Sequence, residues 1–229
     1  MGDKMKADLH SHTHYSKDSI TRPRTWARAA RRAGMGAIAL TDHETTRGWK
    51  PAKEECKRQG VLFIPGIELR VREDDRDVME VLGLFLTEEP RRRGVESLDE
   101  VREQDGLVVV PHPFDRRWNR LKDQPLGRFE KLIDGVEGFN ARVFKKEYDK
   151  QAVSWALKNN KFQTGSGDAH IPREVGMGYT LAPCGNDLEE LRRALKKRAT
   201  RGEGRKSNIL LYLPAILANR GVWPWFLDL

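Results

Sequence analysis

The 229-residue sequence predicts an α/β fold in which seven strands form a barrel surrounded by helices. Short apolar runs alternate with charged, helix-forming segments along the chain, as is typical of strands connected by helices in a parallel sheet. Polar residues that can bind metal ions follow most of these runs, and the carboxyl ends of barrel strands meet on one face. The chain is also long enough to enclose one large hydrophobic core.

The first predicted strand, residues 5–10, leads into a segment that is rich in histidine. His10 and His12 are separated by one residue. Side chains two apart in an extended segment point to the same side, so both imidazoles can reach one metal ion. Asp18 follows a short polar turn and can fold back over the end of the strand.

The remaining elements continue the alternation. Helices are predicted at residues 21–32, where Thr21 is a candidate N-cap, at 47–59 and at 188–198, with a further charged helix before residue 107. Residues 176–183 predict an eighth strand that closes or flanks the barrel. The other six predicted strands are residues 36–40, 61–64, 78–86, 107–113, 135–142 and 161–170.

Histidines and carboxylates accumulate at the ends of these strands. A set of histidine, aspartate and glutamate side chains suits zinc, manganese or iron(II). Nine such groups are too many for one ion, so the sequence predicts two or three divalent metal ions. The nine are His10, His12, Asp18, Asp42, His43, Glu68, His112, Asp168 and His170.

Taken together, five short motifs resemble the PHP family, the polymerase and histidinol phosphatase domain. The resemblance covers roughly residues 5 to 200. The motifs are DLHSHT at residues 8–13, TDH at 41–43, GIE at 66–68, HPF at 112–114 and GDAH at 167–170.

The resemblance implies a distorted seven-stranded β/α barrel that holds a trinuclear metal cluster, and hydrolysis of phosphoesters. Asp42 and Asp8 would orient the metal-bound imidazoles through hydrogen bonds. By the family pattern, the first ion has the ligands His10, His12, Glu68 and Asp168, the second has Glu68 and His112, and the third has Asp18, His43 and His170.

One position departs from that pattern, because Glu80 stands where the family usually has a histidine followed by x-L-G. A carboxylate can replace an imidazole as a ligand, and it shifts the preference toward a harder metal such as manganese. Asp42, Arg142 and Arg173 are the candidate catalytic residues, and a guanidinium near the strand ends could grip a phosphate group. Surface salt bridges are the alternative for both arginines.

Composition sets further expectations. The formal net charge of +8 favours an anionic partner, such as a phosphorylated small molecule, a nucleotide or a nucleic acid, although a solvated basic surface would also account for it. Two distant cysteines and the absence of an apolar leader or membrane span fit a cytoplasmic protein. Residues 1–200 predict the barrel, and residues 201–229 a C-terminal extension whose Trp223, Trp225 and Phe226 pack on it.

These observations predict a metal-dependent phosphoesterase, either a phosphatase or a phosphodiesterase. Two ions about 4 Å apart can clamp phosphate oxygens and acidify a bound water, so no protein nucleophile is required. A metal-bearing accessory or nucleic-acid-binding module without catalysis is the first alternative. An amidohydrolase barrel is the second, but that family ends on a lone aspartate, whereas here Asp168 is followed by His170.

Overall fold

The computed structural model describes residues 4–74, 76–115 and 126–212, together with Leu217. In these ranges the chain has the α/β class that the sequence predicts, with a nearly closed, barrel-like sheet. The sheet contains nine strands within the described residues, rather than seven. They are β1 (Met5–Asp8), β2 (Ala37–Leu40), β3 (Leu62–Glu73), β4 (Arg76–Leu84), β5 (Leu107–Val110), β6 (Gly135–Asn140), β7 (Phe162–Ser166), β8 (Gly178–Ala182) and β9 (Arg201–Gly204).

The sheet is mixed, so the prediction of a parallel sheet is correct for only part of it. The strand order is β7-β6-β5-β4-β3-β2-β1-β8-β9. β1 to β3 are parallel, and so are β5 to β7, whereas β4 is antiparallel to both of its neighbours. This reversal arises because β3 does not end at Ile64 but continues to Glu73, where Asp74 adopts a left-handed φ of 46° and the chain turns back.

The two edges of the sheet approach each other beside β1. An isolated parallel bridge joins Ser11 to Ala169, and the His12 amide donates to the Ala169 carbonyl at 2.8 Å. β8 crosses so close to β7 that a Cβ on Gly165 would collide with the Tyr179 carbonyl. Glycine is therefore required at this crossing, which brings the ends of β1 and β7 together.

Alternate residues of the inner strands pack into different cores. In β2, Ala37 and Ala39 join the cluster inside the barrel, whereas Ile38 and Leu40 pack toward the first two helices. This two-sided burial explains why the strand is a continuous apolar run in the sequence.

The helices are α1 (Pro23–Arg32), α2 (Trp49–Gln59), α3 (Glu96–Glu103), α4 (Lys146–Lys158) and α5 (Leu188–Lys196). In α1, Trp26 and Ala30 are fully buried. The prediction of Thr21 as the N-cap is wrong, because Arg22 occupies that position without a capping side chain. Thr21 Oγ1 donates instead to the His170 carbonyl at 3.2 Å, which attaches the start of α1 to the loop after β7.

The segment after residue 200 begins as part of the sheet, because β9 pairs with β8. A short 3-10 helix, Ile209–Tyr212, follows. Trp223, Trp225 and Phe226 lie outside the described residues, so the packing of the tail on the barrel stays a prediction. Among the helices of the described residues, none combines the length and the apolar character needed to cross a bilayer.

The two cysteines are both free thiols, and Cys56 is fully buried in the core between α1, α2 and β2. Burial, assisted by the charge of Glu55, raises the pKa of the Cys56 thiol to about 12. At pH 8 only ~1 molecule in 10⁴ would then carry the reactive thiolate. We expect Cys56 in a Cys184→Ser variant to resist a disulfide reagent at pH 8 until the protein is unfolded by denaturant. Rapid modification of the native variant would contradict this prediction.

Candidate metal centre

The chain that follows β1 places His10 and His12 on the inner side of the barrel, where both are fully buried. Ser11 points the other way, donating from Oγ to the Ala39 carbonyl at 2.6 Å and accepting from Trp26 Nε1 at 2.9 Å. The alternation is that of an extended strand. The short hydroxyl between the histidines thus attaches this segment to α1 and β2, while both imidazoles face the centre.

Carboxylates from two distant strands meet these imidazoles. Glu68 Oε2 lies 3.2 Å from His10 Nε2 and 3.3 Å from His12 Nε2. Asp168 Oδ1 lies 3.6 Å from each of the same two nitrogen atoms. Four potential ligand atoms therefore surround one small, buried space.

The hydrogen bonds at the far side of each ring show that a cation fits this space. His10 Nδ1 lies 2.9 Å from Glu137 Oε1, and His12 Nδ1 lies 3.3 Å from Ser16 Oγ. When Nδ1 of a neutral imidazole donates, Nε2 carries a lone pair. The two Nε2 atoms are only 3.1 Å apart, so either a proton on one of them or a metal ion between them must separate the two lone pairs, and the adjacent Glu68 Oε2 suits a metal ion.

A second group forms beside the first. Asp18 Oδ2 lies 3.2 Å from His43 Nε2 and 3.3 Å from His170 Nε2. The rings of His12 and His170 are 4.3 Å apart between centroids. The two groups are therefore contiguous, and His12 belongs to both.

A third group lies on the β4 side of the centre. His112 Nε2 lies 3.7 Å from Glu68 Oε1 and 3.9 Å from Glu80 Oε2. Glu68 Oε1 is buried and has no hydrogen-bond partner among the described residues, as expected of an atom that is available as a ligand. Taken together, sets of three potential ligand atoms that lie within 4.8 Å of one another are His12, His43 and His170; His10, His12 and Asp168; His10, Glu68 and His112; and His43, Glu68 and Glu80.

The electrostatics of the centre favour added positive charge. Burial would lower the pKa of His43, but Glu68 and Asp18 raise it to about 10. The pKa of His112 likewise rises to about 9 against the effect of burial, through Glu68 and Asp168. Burial and the neighbouring His170 and His43 instead lower the pKa of His12 to about 3, which keeps its ring neutral and able to bind a metal.

Two of these side chains depend on an unusual backbone conformation. His112 and Asp168 have left-handed φ angles of 31° and 49°. Such conformations are costly for residues other than glycine and persist only where the surroundings impose them. Here the His112 amide donates to Glu137 Oε2 at 2.8 Å, and Asn140 Nδ2 donates to Asp168 Oδ2 at 3.3 Å.

The predicted catalytic residues lie in three different settings. Asp42 accepts hydrogen bonds from Thr13 and from Ser16 Oγ, so it supports the hydroxyl beside His12 rather than facing the centre. Arg142 is buried, and its Nη1 contacts His170 Nδ1. Arg173 is exposed and has no hydrogen bond or ion pair with the described residues, so its role stays a prediction.

Sequence reasoning assigned the orientation of imidazoles partly to Asp8, and the structure gives Asp8 a different role. Its carboxylate accepts from the amides of His10, Gly167 and Gly176, so it binds backbone rather than a ring. Glu137, which the sequence analysis missed, contacts the His10 ring instead. A signal was present, since Glu137 is the one acidic residue in β6 and lies between apolar residues of that strand.

Comparison with known proteins agrees with this geometry. The family model described as the PHP domain matches residues 8–173. An uncharacterized protein of Methanocaldococcus jannaschii is 37% identical over 149 residues, which cover 60% of this chain and 82% of that protein. A 5'-3' exoribonuclease of Escherichia coli is 37% identical over 79 residues, but these cover only 34% of this chain and 26% of the enzyme.

A solved structure shares the fold. It is a two-domain protein from Bacteroides vulgatus that contains a predicted PHP-like metal-dependent phosphoesterase. Its TM-score is 0.75 at 21% identity, and the alignment covers 89% of this chain and 66% of that one. Since the family model spans more than half of the residues, the chain belongs to the PHP domain family.

Proposed function

We propose that this protein is a metal-dependent phosphoesterase whose buried histidine and carboxylate cluster holds two or three divalent ions. One observation carries the proposal: His10 Nε2 and His12 Nε2 face each other at 3.1 Å with Glu68 Oε2 beside both. Such an arrangement of nitrogen lone pairs and carboxylate oxygens suits manganese, zinc or iron(II).

The residues that would hold the ions are the nine that the resemblance and Glu80 together indicate. When bound, divalent ions supply Lewis acidity toward phosphate oxygens and lower the pKa of a coordinated water. The proposed ligands are His10, His12, Asp18, His43, Glu68, Glu80, His112, Asp168 and His170.

The surrounding residues fix the orientation of these ligands. Glu137 holds His10 through Nδ1, and Asp42 supports Ser16, whose Oγ contacts His12 Nδ1. Each contact keeps the other ring nitrogen directed at the centre, which is how outer carboxylates tune metal-binding histidines.

Arg142 is the candidate for binding the substrate phosphate. Its guanidinium stacks over the Tyr212 ring at 4.1 Å and lies 3.6 Å from Glu174 Oε1, while Nη1 contacts His170. These contacts hold a permanent positive charge at the edge of the proposed metal site. A guanidinium there would stabilise negative charge on a phosphoryl group.

A serine hydrolase mechanism does not fit the same residues. In a catalytic triad the carboxylate contacts the histidine, and the histidine takes the proton of the serine. Here Ser16 Oγ donates directly to Asp42, and the serine is only 2% exposed. Ser16 therefore connects Asp42 to His12, and water is the nucleophile that the proposal requires.

The direct test is elemental analysis of the purified protein, followed by assays with manganese, zinc or iron(II) added. The substrates would be a chromogenic phosphate monoester, a chromogenic phosphodiester, nucleoside bisphosphates and a 5'-phosphorylated oligonucleotide. We expect metal-dependent hydrolysis of at least one. A fully metal-loaded protein that cleaves none of them would favour the accessory, non-catalytic module instead.

Glu80 provides a prediction about one metal position. Its carboxylate lies 3.9 Å from His112 Nε2 and 3.6 Å from Arg70 Nε, and it forms a candidate ligand set with Glu68 and His43. We expect Glu80→Gln to lower the affinity for one metal ion by at least ~10-fold while the other ions stay bound. Competitive chelator titration with metal analysis would measure this, with Glu54→Gln on the exposed face of α2 as the control.

A Glu80→His variant extends the same test. An imidazole at this position should shift the preference of that site from manganese toward zinc. If metal content and selectivity are unchanged in both variants, Glu80 is a structural partner of Arg70 and not a ligand.

A further inference from the structure

Helix α1 carries four exposed arginines and no acidic residue. Arg24, Arg28 and Arg31 are spaced by four and three positions, which places them on one face of the helix, with Arg32 beside them. Trp26 and the other buried positions lie on a different face. We call the surface formed by these four residues the α1 arginine surface.

The positive charge of this surface is not neutralised locally. None of the four guanidinium groups forms an ion pair with any described residue. Some surface arginines elsewhere in the described chain do pair with a nearby carboxylate, at distances such as 3.0 Å from Arg72 to Asp77. Further examples are Arg58, Arg92, Arg93, Arg128 and Arg201. The excess of positive charge in the sequence is therefore partly concentrated on one short helix.

The α1 arginine surface begins close to the metal centre. Ser19 Oγ and Thr21 Oγ1 both donate to the carbonyl of His170, at 2.9 and 3.2 Å. Lys17, which is exposed, precedes Asp18, whose carboxylate contacts the His170 ring. Residues 17–21 thus form a short connection between the candidate ligands and the first turn of α1.

The length of helix that the arginines cover matches the spacing of phosphates along a nucleic acid strand. From Arg24 to Arg31 the helix rises by about 10 Å, at ~1.5 Å per residue. A stacked nucleic acid strand presents one phosphate about every 3.4 Å, so this length corresponds to roughly three phosphates. Guanidinium groups bind phosphate with two parallel hydrogen bonds, which suits arginine better than a point charge.

We propose that the α1 arginine surface binds the phosphate backbone of a nucleic acid strand and directs it toward the metal centre. This goes beyond the proposed hydrolysis, because backbone binding needs neither metal nor cleavage. The partner is a polyanion of regular spacing, and a single phosphorylated metabolite would be too small to contact all four arginines.

The test compares two full-length variants that lose the same charge. Arg24→Gln, Arg28→Gln and Arg31→Gln are combined in the first. The matched control combines Arg193→Gln in the last turn of α5 with Lys197→Gln and Arg198→Gln just after the helix, where all three residues are exposed. Binding of a fluorescein-labelled, mixed-sequence oligonucleotide would be followed by anisotropy with EDTA present, over a series of salt concentrations. Circular dichroism and thermal melting would check that both variants are folded.

We expect the α1 variant to bind at least ~10-fold more weakly than the unsubstituted protein at physiological salt. The slope of log affinity against log salt concentration is negative, and its magnitude should decrease by about 2. Each lost phosphate contact removes ~0.7 for a single strand, and three arginines are replaced. The α5 control should keep the affinity and the salt slope of the unsubstituted protein. Hydrolysis of a small chromogenic phosphoester should be unchanged in the α1 variant, so that the proposed catalysis is tested separately.

Three results would overturn the proposal. The first is wild-type affinity and salt slope in the folded α1 variant. The second is an equal loss in the α5 control, which would indicate only a general effect of net charge. The third is an α1 variant that loses the binding of the unsubstituted protein to vesicles containing anionic lipid but still binds the oligonucleotide. That result would identify a membrane as the partner.

Discussion

Asp168→Asn should lower the rate of phosphoester hydrolysis at least ~100-fold while leaving the fold intact. Asp168 Oδ1 lies 3.6 Å from Nε2 of His10 and from Nε2 of His12, so this oxygen faces the first proposed metal position. Loss of a residue that merely orients a ligand typically costs 10- to 100-fold in metal affinity or activity, so loss of the ligand itself should cost more.

The substitution to asparagine is chosen for its backbone. Asp168 has a φ of 49°, a conformation that asparagine adopts more readily than most residues. Asp74→Asn is the matched control, because Asp74 is exposed at the β3–β4 turn and has a similar φ of 46°. Initial rates at saturating metal, together with metal content, would be measured for both. An Asp168→Asn enzyme with normal rate and metal content would refute the ligand assignment.

Glu137→Gln should weaken metal binding by ~10- to 100-fold and also destabilise the protein. Both carboxylate oxygens accept hydrogen bonds: Oε1 from His10 Nδ1 and Ser166 Oγ, and Oε2 from the His112 amide and Asn140 Nδ2. The side-chain amide of glutamine has an NH₂ group in place of one of the two oxygens. In either orientation this NH₂ group would face hydrogen-bond donors instead of acceptors. A buried donor without an acceptor costs about 1–3 kcal/mol.

The charge of Glu137 matters as well as its shape. Burial would raise the pKa of this carboxyl, but His10 and His112 lower it below its usual value, so it is ionised at neutral pH. The free energy of unfolding by denaturant and the affinity for metal by calorimetry would be measured for Glu137→Gln, with Glu54→Gln as the surface control. Unchanged values for both quantities would show that Glu137 does not position His10.

Several parts of the site could be predicted because they depend on local sequence. His10 and His12 are two apart on an extended segment, so their shared direction follows from the geometry of a strand alone. His43, His112 and Asp168 follow apolar runs, and the carboxyl ends of neighbouring parallel strands lie at one edge of a sheet. The structure brings all of these side chains together in one buried cluster.

Other parts depended on contacts between distant segments. The length of β3 was underestimated because Pro65 and Gly66 end its apolar run, although the strand continues through both and Glu68 within it faces the centre. Asp8 and Glu137 are both acidic residues in strands, and only their three-dimensional partners distinguish a carboxylate that binds backbone from one that holds the His10 ring.

The sequence by itself determined the α/β class, the positions of most strands along the chain and the identity of most of the clustered histidines and carboxylates, because periodicity and residue type are local properties. The tertiary structure alone decided that β4 runs antiparallel, that Glu137 supports His10, and that no described carboxylate forms an ion pair with the arginines of α1. Strand direction, hydrogen-bond partners and charge neutralisation depend on which distant segments meet, and that is set by the packing of the whole chain.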